Sequence, residues 1–109
     1  MDYPNGISSR EFQSKVLKSE RPVLVLFVTD RGFTCRDAAK TLQNAVNGID
    51  GIVDHVSINA DEDDNHCIAR EYGVTGVPSL LIFKGGKEAS RLVGNVQESH
   101  IQAMVNVYA

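Results

Sequence analysis

Val23-Leu24-Val25-Leu26-Phe27-Val28 runs, after Thr29, Asp30 and Arg31, into Gly32-Phe33-Thr34-Cys35 and then an amphipathic stretch from Arg36 to Val46. Every residue of the first segment is apolar, and most are β-branched or aliphatic. Such a strand has no face for water, so it belongs at the centre of a sheet covered by helices on both sides. Cys35, Ala38, Ala39, Leu42, Ala45 and Val46 recur with a period near 3.6 residues, which predicts a helix, and Gly48 and Gly51 end it. A buried strand passing through a short loop into a helix is the opening half of a β-α-β unit.

The remaining elements fall into place around this unit. Upstream, Ser8-Ser9-Arg10-Glu11 has the capping-box form, flanked by Ile7 and Phe12 at the spacing of a hydrophobic staple. Phe12, Val16 and Leu17 put one apolar face on a helix that is expected to end near Ser19, and Pro22 opens the central strand. Downstream, Val53 to Asn59 reads as a strand with Val56 and Ile58 inward and His55 outward. Asp61-Glu62-Asp63-Asp64 lacks the alternation, glycine and distal glutamate of a calcium loop; its carboxylates suit a helix N-terminus instead. That short helix carries Ile68, Ala69 and Tyr72 and stops at Gly73. Ser79 to Phe83 is a second apolar strand, Lys84-Gly85-Gly86-Lys87 a tight hairpin turn, and Lys87 to Val93 an edge strand. Ile101, Met104, Val105 and Tyr108 line one face of a last helix. The order α-β-α-β-α-β-β-α predicts an α/β fold, a three-layer α/β/α sandwich around a central mixed sheet.

A chain of 109 residues supports one core, so residues 1–109 are expected to form a single domain. An apolar fraction of 42% argues against disorder. Net charge is −3 with both signs interspersed, which disfavours nucleic acid as a partner. No apolar run approaches the roughly 20 residues that span a bilayer. No basic segment followed by an apolar one opens the chain, and the expected compartment is cytoplasmic. The two cysteines, Cys35 and Cys67, are too few for a disulfide framework or a zinc site, and no metal or cofactor is expected.

Taken with their order and spacing, several stretches resemble the thioredoxin family over nearly the whole chain, from about Ser8 onward. They are Val23-Leu24-Val25-Leu26-Phe27, Cys35-Arg36, Asn59-Ala60-Asp61, Tyr72-Gly73-Val74-Thr75-Gly76-Val77-Pro78, Leu81-Ile82-Phe83-Lys84-Gly85-Gly86-Lys87 and Val93-Gly94. The resemblance implies the thioredoxin-like sandwich with a cis-proline loop, the Val77–Pro78 bond being cis and lying beside Cys35. It also implies a groove for extended protein segments, with the backbone of Val77 as the general contact. The departures concern chemistry. The family carries a CxxC pair where this chain has Gly32-Phe33-Thr34-Cys35, so the first, attacking sulfur is absent. Leu26 stands where the family keeps a buried acid, Val28 and Arg31 where it has tryptophans, and Thr34 and Lys40 where it has prolines.

Three readings of the site follow. In the first, the chain keeps the groove as a binding or regulatory module without dithiol turnover: Arg31, Gly32, Phe33, Thr34, Gly76, Val77, Pro78 and Gly94 form its walls, and Phe33 is an aromatic anchor exposed at the tip of a loop. In the second, Cys35 is catalytic as a monothiol, forming a mixed disulfide with glutathione or a protein thiol at a helix start near Arg31 and Arg36. A buried core role for Cys35 stands against that second reading. The third is a Cys35–Cys67 pair. His66 adjoins Cys67, yet neighbours on a helix point about 100° apart, so no catalytic pair is expected there. His100 falls off the apolar stripe of the last helix. The expected partner is a protein or peptide segment, and the chain is expected to be a monomer.

Overall fold

The computed structural model describes residues 3, 5–30, 33–49, 51–62, 64–94 and 96–109. Arg31, Gly32 and Asp63, about which the sequence makes claims, lie outside the described residues. Four strands form one mixed sheet in the order β2-β1-β3-β4. They are β1 (Val23–Val28), β2 (Asp54–Asn59), β3 (Ser79–Lys84) and β4 (Lys87–Val93). The β1–β2 pair is parallel, while β1–β3 and β3–β4 are antiparallel. All six residues of β1 are buried, as a strand without a polar side requires.

Two apolar clusters cover the faces. On one face Leu24, Leu26, Val28, Leu80 and Ile82 pack with α2 (Phe33–Val46) and α4 (Glu98–Tyr108) through Cys35, Ala38, Leu42, Ile101 and Met104. On the other, Val23, Val25, Phe27, Leu81 and Phe83 pack with α1 (Ser9–Phe12), its continuation Gln13–Leu17, and α3 (Asn65–Glu71). Alternate residues of β1 thus feed alternate layers, which is the pleat expressed as packing. In the second layer the rings of Phe12, Tyr72 and Phe83 meet at centroid separations of 5.1 to 5.6 Å, the Phe83 ring standing edge-on to the other two. This is the thioredoxin-like α/β arrangement that the sequence implies.

Several local expectations are corrected. The first helix is α-helical only through Phe12; from Gln13 to Leu17 it widens to a π-helix, closed by the Lys18 N–H donating to the Gln13 carbonyl at 2.9 Å. It ends at Leu17 with Lys18 as its cap, close to the expected end near Ser19. The second helix starts at Phe33 rather than Arg36, so Phe33 sits in a helical first turn and not at a loop tip. His55 is half-buried, not exposed, and its backbone carbonyl accepts from the Asn5 amide at 3.2 Å. An unforeseen parallel bridge joins Gly6 to Ser57 outside the named strands.

Other expectations hold. Glu11 closes the capping box on Ser8, and Ile7 and Phe12 are both buried in one cluster. Gly73 follows α3 with φ +67°. The Lys84–Lys87 hairpin turns through Gly85 and Gly86, both with positive φ.

Candidate functional site

The loop that follows β1 is held from three sides. Thr29 accepts through its carbonyl from the Tyr3 hydroxyl at 2.9 Å. Asp30 accepts from the Asn59 amide at 2.6 Å, and the Asp30 N–H donates to the Asp61 carboxylate at 2.9 Å. Asn59 in turn accepts from the Asp61 N–H, and its backbone carbonyl accepts from Asn65, whose own carbonyl oxygen takes the Ser9 N–H. The network ties the C-terminal ends of the parallel strands together, the edge at which ligands of parallel α/β sheets bind. Asn59 and Asn65 are buried polar residues, and their polar atoms find partners here, as burial demands.

Across the sheet, Ser79 lies opposite Phe27 on one side and Val93 on the other. Pro78, one residue earlier, therefore falls at the same end of the sheet as the start of α2. The Val77–Pro78 bond is cis, and Pro78 is buried. The Gly94 N–H donates to the Pro78 carbonyl at 2.9 Å, which brings two predicted site residues together. Gly94 has φ +80°, a conformation in which glycine is favoured. Among the described residues neither the N–H nor the carbonyl of Val77 takes a backbone partner, and its side chain is 37% exposed.

The exposed apolar side chains sharpen the picture. Phe33 is 81% exposed although its helix packs on the core. Thr34 and Gly76 are also at the surface. Val93, next to Gly94, is 61% exposed; the sequence named it only as the end of the edge strand and not as a site residue, because strand alternation alone does not reveal which face an edge strand leaves uncovered. Tyr3 escaped it too, since it precedes the first element with a periodic signal. One cavity, of about 290 Å³, is bounded by Tyr3, Gly6, Asn59 and Asn65 of the network described above, and another of about 560 Å³ lies beside Asn5, Lys15 and His55. Neither of these two is lined by Phe33, Cys35, Val77 or Pro78.

The two sulfurs are separated by the sheet. Cys35 is 2% exposed in the α2/α4 layer, among Leu26 and Val28. Cys67 is exposed on α3, in the opposite layer. Both are free thiols. A disulfide needs Cα atoms within about 7 Å, which a sheet standing between the two helices forbids. The third reading, a Cys35–Cys67 pair, is thereby overturned. The Cys67 sulfur does approach its neighbour's imidazole, at 3.6 Å from His66 Nε2, contrary to expectation; on an exposed helix turn it is a weak contact. Among the described residues no cluster of His, Cys, Asp or Glu could hold a metal ion, and no helix is long and apolar enough to cross a membrane.

A family profile described as Thioredoxin matches residues 5–107. The chain is 34% identical to a thioredoxin of Synechocystis sp., with 94% of each chain covered. It is 30% identical to a thioredoxin of Porphyra purpurea, again over 94% of each. Against an M-type chloroplastic thioredoxin of Chlamydomonas reinhardtii the identity is 31%, covering 94% of this chain and 72% of the other.

Proposed function

Because the chain belongs to the thioredoxin family, we propose that it is a binding module that holds an extended protein segment against Phe33, Thr34, Gly76, Val77, Pro78 and Gly94 and performs no dithiol turnover. Arg31 and Gly32 are assigned to the same surface by sequence alone. The partner is a protein segment, bound by one monomeric domain spanning residues 1–109. The observation that carries this reading is the state of the sulfur: position 32 is glycine, and Cys35 is almost wholly buried with no second cysteine on its side of the sheet. Dithiol exchange requires an accessible attacking thiolate and a resolving thiol within reach. A binding surface that offers an exposed aromatic and free main-chain groups at the same end of the sheet requires neither.

The unpaired N–H and carbonyl of Val77 suit a segment that pairs through its main chain, with specificity left to side-chain contacts. Phe33 is the natural anchor for such contacts, since truncating a well-packed aromatic at an interface costs on the order of 2 kcal/mol or more. The test is a titration of the labelled protein with peptides selected from a random display library, followed by amide NMR. Shift changes centred on Phe33, Thr34, Val77 and Gly94 are expected. Phe33→Ala should weaken binding by on the order of tenfold or more, while Cys35→Ala leaves affinity within about twofold, a change well below one hydrogen bond. Shifts confined to another face would sink the reading.

The monothiol alternative draws support from the place of Cys35 in the first turn of α2, where an exposed thiol would have the helix dipole beside it. Exposure to oxidised glutathione with peptide mapping separates the two. An unmodified Cys35 is expected; a glutathione adduct on Cys35 in the folded protein would make monothiol exchange the leading function.

A further inference from the structure

Glu88 and Arg91 are three residues apart on β4, a spacing that puts side chains on opposite faces of a regular strand. The register shift between Ile82 and Phe83 changes that: Glu88 stands opposite Phe83 and Arg91 opposite Leu81, both of which belong to the cluster under α1 and α3. An irregular strand has thus turned the two charges onto one face. There Arg91 donates through Nε and one terminal nitrogen to the two carboxylate oxygens of Glu88, at 2.5 and 2.6 Å. The same terminal nitrogen donates to the Tyr72 carbonyl at 2.6 Å, and the other reaches the Gly73 carbonyl at 3.4 Å. These carbonyls close α3, where a helix leaves its last acceptors without partners. Just past the end of β4, the Gly94 N–H donates to the Pro78 carbonyl. The loop of residues 73–78 is therefore fastened to β4 at both ends, by a side chain at its start and by main chain at its finish.

We infer that Arg91 is a positioning residue for the peptide surface: its grip on Tyr72 and Gly73 holds the loop so that Val77 presents its main chain in one orientation. The inference rests on the binding reading above. The N–H and carbonyl of Val77 take no backbone partner among the described residues, so their orientation comes from the ends of the loop. The Val74 N–H ties the loop to α3 through the Ala69 carbonyl at 2.8 Å, and Arg91 ties the end of α3 to the sheet. Ordering the backbone of one loose residue on binding costs about tenfold in affinity, a loss that a loop already held avoids. Lysine is no substitute, because one ammonium lacks the planar fork that grips Glu88 while reaching two carbonyls. Glu88, in turn, keeps the guanidinium in place.

The test compares amide nitrogen relaxation in the free parent and in Arg91→Lys, then titrates both with a peptide selected on the parent from the display library. Order parameters at Thr75, Gly76 and Val77 should lie near about 0.85 in the parent and fall to about 0.6 or below in Arg91→Lys, with those of β1 unchanged. Peptide affinity should drop about tenfold. Glu88→Gln should move both readouts the same way by less, and it serves as the second variant should Arg91→Lys fail to fold. A loop equally ordered in parent and variant, or equal affinity of the two for the peptide, would overturn the role of Arg91 while leaving the binding surface standing. A loop that loosens in Arg91→Lys while every selected peptide binds another face would instead overturn the binding reading, and the use of the clamp with it.

Discussion

The Glu11 carboxylate accepts from the Ser8 N–H at 3.1 Å and meets Lys15 Nζ at 3.0 Å. These contacts hold its pKa below the ordinary 4.5, the Ser8 N–H contributing most and Lys15 next. A carboxyl depressed in the folded state contributes stability above its unfolded pKa and loses that contribution as pH falls through the folded value. Glu11→Ala should therefore melt a few degrees below the parent near neutral pH, with the gap closing below about pH 4; a gap independent of pH would assign the effect to packing rather than charge. The residues that make this cap were legible because capping is local chemistry written within four positions. Phe33 was legible both as a candidate and in its exposure, whereas Cys35 was legible as a candidate with its burial left open between two readings. Whether a side chain in the first turn of a helix points to the core or to water depends on where the helix begins, and nothing between Thr29 and Arg36 marks that start strongly.

At the level of elements, the hairpin and the first helix meet through backbone. A Cβ placed on Gly86 would stand 3.0 Å from the Leu17 carbonyl oxygen, and φ there is +81°; Gly85, at +62°, has open space around the same position. Left-handed backbone costs an L-residue roughly 1–2 kcal/mol. Gly85→Ala should pay about that, and Gly86→Ala more, because a backbone oxygen cannot rotate out of the way as a side chain can. Urea unfolding of the two variants measures the difference, and equal losses would mean that the Leu17 contact is immaterial. The strands and the hairpin were readable because unbroken apolar runs and Gly-Gly leave few alternatives. The π-helical half from Gln13 to Leu17 was not, since those residues fit an α-helix equally well and the widening answers to tertiary contact. The pairing near Gly6 was hidden for a related reason: a bridge this short carries no periodic pattern.

For the molecule as a whole, the decisive arrangement is the sheet between two helical layers, with one sulfur in each. Mild oxidation should leave both thiols titratable after unfolding and yield no intramolecular bridge; loss of two hydrogens from the monomer mass would contradict the layer assignment of α2 and α3. The order of elements was enough to predict the layers. It could not supply the sheet's margins, and these have a consequence of their own. A half-open sheet is a template on which identical chains can stack strand upon strand into fibrils. At one margin β2 is partly occupied by the Asn5–Ile7 backbone. At the other, β4 carries Lys87, Glu88 and Arg91, and a register shift between Ile82 and Phe83 breaks the flatness of its pairing with β3. Charge and irregularity on one side, and a borrowed stretch of main chain on the other, leave a growing aggregate little open edge on which to pair.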